Sequence, residues 1–350
     1  MKFRISICLI CTLIVAILML DACKKDGKNL ANYHPTYLSL NIPAGFPQPV
    51  IDIFKNNPLT EEGFQLGKKL FYDGRLSKDG HFPCASCHQT VAAYATFDHQ
   101  FSHGYDDAFT TRNAPALFNL AWMKEMHWDG EMADIEQASL KHITNKNEMG
   151  ETIENVLKKI SADTAYLNMF TAAFGDNTVT SQRMAKSLAQ FTGSIQSFNS
   201  KYDLVKRGET SFTIAEQNGY NTFKANCNTC HTEPLFTDNS FRNNGLSVDI
   251  LLNDKGLLGV THKAADSLKF KVPSLRNIAV SYPYMHDGRL FSILQTIEHY
   301  RTQIVTSQPT LDPLLKNSIS ITNQQKADLA EFLSTLTDNV LLQNKRFQQP

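Results

Sequence analysis

Cys84-Ala85-Ser86-Cys87-His88 and Cys227-Asn228-Thr229-Cys230-His231 are two copies of one pattern, CxxCH, set far apart in the chain. The pattern is the attachment site of a covalent c-type haem. Its spacing has a chemical reason. Two thiols on one turn of chain reach the two vinyl groups on one porphyrin edge, and the next residue sets an imidazole beneath the iron. A pair of zinc knuckles, or redox dithiols followed by a histidine, also shows CxxC, but chance would then have to place the histidine correctly twice. The sequence calls for two haem c groups. Cys84, Cys87, Cys227 and Cys230 are the covalent anchors, and His88 and His231 are the proximal iron ligands.

The other cysteines lie near the start. Residues 5–20 are an apolar run preceded by Lys2 and Arg4, short for a membrane span, and the run ends in Leu20-Asp21-Ala22-Cys23. That ending resembles a bacterial lipobox, with cleavage before Cys23 and lipid on its thiol; an ordinary signal peptide or an uncleaved anchor is the alternative. Residues 1–22 are thus expected to be a lipoprotein signal peptide. Of seven cysteines only four follow Cys23, and all four belong to the CxxCH motifs, so none remains for a disulfide. Export suits the chemistry, because c-type haem is attached outside the bacterial cytoplasm. The expected location is the bacterial cell envelope, facing the periplasm and lipid-anchored, although one acyl chain alone binds reversibly.

With 350 residues and 42% of them hydrophobic, the chain can bury a core for about two domains. A formal net charge of zero argues against a nucleic-acid partner, which needs a basic stripe. It does not bear on a protein redox partner, where local patches matter more. Residues 23–56 carry Pro35, Pro43, Pro47 and Pro49 and read as a tether and extended lead-in. Thr60-Glu61-Glu62-Gly63 caps a helix with Phe64, Leu66, Leu70 and Phe71 toward a core, and Gly74 ends it. Residues 91–111 read as loop. Helical patterns follow at 153–174, 180–198, 213–227 (running into the second haem motif), 290–302 and 323–336. Hairpin signals are sparse. The expected fold is mostly α, with two cytochrome c-like haem domains packed against each other. They join near residues 200–210, where Ser200-Lys201 and Arg207-Gly208 thin out the apolar pattern.

Further segments surround the haem motifs. The first half holds Ser102-His103-Gly104, Arg112-Asn113-Ala114-Pro115, His127-Trp128-Asp129-Gly130, Glu136-Gln137 and a run from Asn145 containing Glu148 and Met149. The second holds Phe270-Lys271-Val272-Pro273-Ser274-Leu275-Arg276-Asn277 and Tyr282-Pro283-Tyr284-Met285-His286-Asp287-Gly288. From about residue 57 to 336 the chain resembles the bacterial dihaem cytochrome c peroxidase family, including its MauG-like branch. The resemblance implies an N-terminal peroxidatic haem domain (57–203) on His88 and a C-terminal electron-transfer haem domain (204–350) on His231. It implies Trp128 as the bridge between haems and Glu148 as the distal acid–base residue, with Gln137 assisting by hydrogen bonding. Asn113, Ser281 and Pro283 match positions that hold one calcium ion, an ion that prefers oxygen ligands. His103 matches a histidine that closes the peroxidatic iron at rest, and His99 is a weaker rival. His286 is given no firm ligand role. His34, His81, His142 and His262 are given no function.

One departure matters. Fourteen residues after His286, cytochrome c peroxidases place a methionine ligand to the second haem; this chain has Tyr300, as the MauG-like branch does. A phenolate is harder than a thioether and favours oxidised iron, so the second haem should have the lower potential of the two types. The resemblance implies reduction of hydrogen peroxide to water, with electrons from a small cytochrome c, a cupredoxin or a quinol. Peroxide-dependent oxidation of a partner protein is the alternative, and a non-catalytic electron carrier or sensor is a third. It leaves a homodimer open.

Overall fold

The computed structural model describes residues 33–350. The signal-peptide and lipobox readings, Cys23 among them, concern residues outside that span. Twelve α-helices carry the described chain, with one two-residue antiparallel pair, β1 (Phe241–Arg242) and β2 (Phe270–Lys271). The first half contains α1 (Glu61–Phe71), the single turn α2 (Cys84–Cys87), α3 (Ile135–Thr144), α4 (Ile153–Ser161), α5 (Thr164–Phe174) and α6 (Ser181–Gly193). The second contains α7 (Lys201–Lys206), α8 (Ile214–Asn226), α9 (Leu258–Thr261), α10 (Ile293–Glu298), α11 (Asn323–Ser334) and α12 (Asn339–Leu342). No helix among the described residues is long and apolar enough to cross a membrane.

Local signals set the helix starts. The Thr60 hydroxyl accepts from the Gly63 N–H at 3.1 Å, and Thr213 and Thr322 form reciprocal capping boxes with Glu216 and Gln325. The 153–174 pattern breaks in two because Asp163 caps a new helix through the Ala165 N–H. The expected junction near 200–210 contains a helix instead. Ser200 and Asp203 box its start, and Arg276 holds Asp203 from the other side. α3 is not among the helical patterns read from the sequence; its Ile135 and Ala138 pack with Leu120, Met126 and Ala189 while also lining a cavity, and its Ile143 joins the first core.

Each half is built on one helix crossing. α1, which precedes the first haem motif, lies across α6; α8, which precedes the second, lies across α11. Both crossings are closed by glycine. A Cβ on Gly67 would meet the Ser187 carbonyl oxygen at 1.9 Å, and one on Gly219 would meet that of Asp328 at 1.9 Å. Two separate cores follow. One draws on Phe64, Leu70, Phe71, Tyr166, Phe170 and Phe191, the other on Tyr202, Phe223, Phe236, Leu329 and Phe332. Burial of such side chains stabilises by roughly 1.5–3 kcal/mol each.

Both ends of the described chain depart from the expected division. The lead-in is pinned, not free: the Trp122 indole donates to the Pro47 carbonyl at 2.8 Å and Phe46 packs edge-on to Trp122. The last residues return to the first core, where Leu341 is buried and Phe347 meets Phe64 and Phe191. The Tyr72 and Tyr94 hydroxyls donate to the Phe347 carbonyl at 2.7 and 3.0 Å. Apolar residues after Thr337 thus belong with the N-terminal half.

Candidate functional site

Both CxxCH motifs open onto one continuous cavity of about 820 Å³, lined by Cys84, Cys87 and His88 and by Cys227, Cys230 and His231. The single turn of α2 sets Cys84 and Cys87 on one side, three residues apart, and His88 caps it. His88 Nδ1 donates to the Tyr94 carbonyl at 3.0 Å. Ala93 and Tyr94 take positive φ values of 52° and 63° in the tight turn that carries this carbonyl. The bond fixes the tautomer and leaves Nε2 bare. His231 Nδ1 is likewise 3.2 Å from the Phe236 and Pro273 carbonyls. Burial lowers both imidazoles, His88 to about 4 with His142 adding to the effect. Each is a neutral ring with one nitrogen engaged and one free, the state of a metal ligand.

The walls suit a haem better than a zinc ion. A structural zinc site gathers four donors into a closed tetrahedron. Here each motif faces open space. Of the wall cations, Arg112 is held by Asp129 and Asp254 and Arg242 by Asp238 and Asp312, while Lys271 has no carboxylate partner among the described residues and can take a haem propionate. Lys271 is the clearest case. It is buried, its ammonium donates to the Met123 thioether at 3.6 Å, and burial pulls its pKa down to about 8. A carboxylate beside it would offset that desolvation. Among the described residues, three metal-capable side chains converge at His127, Asp129 and Glu131, without a cysteine. Two of those three are already paired, Asp129 with Arg112 at 2.5 Å and Glu131 with Lys141.

Glu148 lies on the His88 side of the cavity. Its carboxylate accepts from His142 Nδ1 at 2.5 Å and from Asn145 Nδ2 at 3.0 Å. Burial pushes its pKa up, but the His142 hydrogen bond and charge, with His88 and Asn145, outweigh that and hold it below the usual value. His142, given no function by the sequence, is therefore brought into the site. The helical phase contained the signal: Ile135, Ala138, Ser139 and His142 share the face of α3 that lines the cavity.

The same phase corrects Gln137. It sits on the opposite, exposed face of α3 and does not line the cavity; Ala138 does. Trp128 lines the cavity, its indole donating to the Asn113 carbonyl at 2.8 Å. Asn113, Ser281 and Pro283 reach the same wall, and the Asn113 amide donates to the His99 and Gln100 carbonyls at 3.3 and 3.1 Å. His103 is exposed at the cavity's edge, its ring 4.5 Å from Phe109. His286 also lines the cavity, stacked on Phe270. Arg112 links the halves by gripping Asp254 at 2.6 and 2.8 Å.

Tyr300 stands on a five-residue π-helical turn, His299–Gln303, that continues α10. The extra residue of such a turn re-aims side chains and often marks a functional site. Tyr300 lines the cavity, and burial pushes its phenol up to about 12, with Asn244 donating to it and the Cys227 and Cys230 thiols nearby. The neighbouring His299 Nε2 is tied to the Asn244 carbonyl at 3.0 Å. Asn244 Nδ2 also reaches the Met285 sulfur at 3.3 Å.

Comparison with known proteins identifies the family. The model of the family described as Di-haem cytochrome c peroxidase matches residues 61–211. Methylamine utilization protein MauG of Methylophilus methylotrophus is 30% identical over 310 residues, 85% of this chain and 88% of that protein. Cytochrome c551 peroxidase of Nitrosomonas europaea is 32% identical over 255 residues, 72% and 76% of the two chains. The crystal structure of a MauG-like protein associated with microbial copper homeostasis superposes with a TM-score of 0.82 at 30% identity, covering 89% of this chain and 99% of that one. The two haem-binding motifs, the mostly helical fold and these matches together place the chain in the dihaem cytochrome c peroxidase family, in its MauG-like branch.

Proposed function

We propose that this protein reduces hydrogen peroxide to water at the haem carried by His88, with electrons delivered through the haem carried by His231. The observation that supports this most directly is the Glu148 carboxylate, half-buried at the cavity wall and poised by His142 and Asn145. Bound haem would supply the redox-active iron for peroxide reduction. Glu148 would accept a proton from one peroxide oxygen and return it to the other. One peroxide, two electrons and two protons give two waters. Trp128, on the wall shared by both motifs, carries electrons between the halves. Lys271, a wall cation without a carboxylate partner among the described residues, seats a propionate. Asn113, Ser281 and Pro283 hold a calcium ion through oxygen atoms. The donor is a small cytochrome c, a cupredoxin or a quinol. Lipid on Cys23 tethers the protein on the periplasmic side of the cell envelope.

Steady-state peroxide consumption by the haem-loaded protein with reduced cytochrome c tests this reading. Turnover supports it; an inert protein would be a carrier. A second reading, peroxide-dependent oxidation of a partner protein, is favoured by Tyr300, which stands where a peroxidase of the His/Met type has methionine. Peroxide loss that needs a protein substrate, and leaves that substrate oxidised, would select it.

A further inference from the structure

His88 and His142 both line the cavity, with ring centroids 6.5 Å apart and ring planes at 74°. Two imidazoles bonded to one metal ion from opposite sides, with bonds of about 2 Å, have ring centres roughly 6–6.5 Å apart. The planes can take any twist, because each ring rotates about its own metal bond. The nitrogens are sorted in the same sense. His88 Nδ1 is engaged by the Tyr94 carbonyl and His142 Nδ1 by the Glu148 carboxylate, so Nε2 is the free nitrogen of each ring. A carboxylate on the far nitrogen of an imidazole is the usual outer partner of a metal-bound histidine, fixing its tautomer and raising its basicity.

We propose that His142 is the sixth ligand of the first haem iron in the resting oxidised protein, bonding through Nε2 and oriented by Glu148. The role implied for His103 by resemblance passes to it. His103 is poorly placed for that role. It is exposed, its ring packs on Phe109 and His99, and the backbone beside it is pinned. Tyr105 N–H donates to the Glu148 carbonyl at 2.7 Å, and a Cβ on Gly104 would meet the Asn147 carbonyl oxygen at 2.2 Å. A swing of His103 must break that packing, whereas the His142 ring already stands 6.5 Å from that of His88. Peroxide then reaches the iron only after His142 leaves, and its departure frees the Glu148 oxygen that it occupies. One pair of residues thus serves as both gate and acid–base group.

This inference rests on the dihaem reading, and its test reads ligation rather than turnover. Haem-loaded wild type, His142→Ala and His103→Ala are compared as ferric proteins by electron paramagnetic resonance and near-infrared magnetic circular dichroism. The expected result is a bis-imidazole low-spin signal from one haem in the wild type. It persists in His103→Ala and is lost in His142→Ala, where added imidazole restores it. Absence of that signal from the wild type, or its loss in His103→Ala alone, overturns the proposal. Should His142→Ala not take up haem, the wild-type and His103→Ala spectra still decide. Peroxide consumption measured on the same wild-type sample keeps the two readings apart: a protein that consumes peroxide without a bis-imidazole signal refutes the ligation and leaves the peroxidase reading standing.

Discussion

Arg276 and Asp203 form a buried bidentate pair, with guanidinium nitrogens 2.7 and 2.8 Å from the two carboxylate oxygens and the arginine side chain fully enclosed. Asp203 also closes the capping box of α7 on Ser200, and Arg276 Nε donates to the Pro234 carbonyl at 2.8 Å. The pair ties the first helix of the second half to the segment that follows the second haem motif. Removing one partner leaves the other charged and uncompensated. Asp203→Asn should destabilise the protein by about 3–5 kcal/mol, the usual scale for breaking a buried pair. A urea titration of haem-loaded protein that finds less than about 1 kcal/mol would dismiss the pair as a structural tie.

The same carboxylate predicts an acid limit. Burial pushes Asp203 up, but Arg276 and Ser200 hold it below 3.8, its ordinary value. A group depressed in the folded state stabilises at pH above its unfolded value, and that contribution is lost as pH falls through the folded value. Part of the acid unfolding below about pH 4 should therefore disappear in Asp203→Asn, which is less stable throughout but has a shallower acid limb. An unchanged acid limb in the variant would assign acid unfolding to other carboxylates.

Glu148→Gln keeps the shape of the site and removes the base. Haem content should stay normal while peroxide turnover falls by roughly 10²-fold or more, the contribution of a positioned acid–base group. Near-normal turnover takes Glu148 out of the chemistry.

Tyr300→Met puts a thioether where the Tyr300 phenol stands on the π-helical turn. One haem midpoint should rise and the other stay in place in a spectroscopic redox titration. If both stay, Tyr300 is not an iron ligand.

Gly67→Ala and Gly219→Ala each force a methyl against a backbone carbonyl oxygen 1.9 Å from the ideal Cβ position. Each should cost about 1–3 kcal/mol or more and lower the melting temperature, because two helices must move apart. An unchanged melting temperature in either variant would show that its crossing has room for the added methyl.

What the sequence determined was local. A CxxCH motif is five adjacent residues, a threonine cap acts within one turn, and the order of the segments from Trp128 to His286 is itself sequence. Those features were enough to call for two haem groups, helical halves and the family. What tertiary structure decided was distance between residues far apart in the chain, or on opposite sides of one helix. Only folding shows that α3 turns His142 toward His88 and Gln137 toward solvent, since a one-position shift on a helix rotates a side chain by about 100°. Only folding shows that the C-terminal residues pack on the first core, because Phe347 meets Phe64 and Phe191 through space. The π turn at Tyr300 is a backbone event with no residue signature, arising where the segment after α10 packs and Asn244 engages both the His299 ring and the Tyr300 phenol.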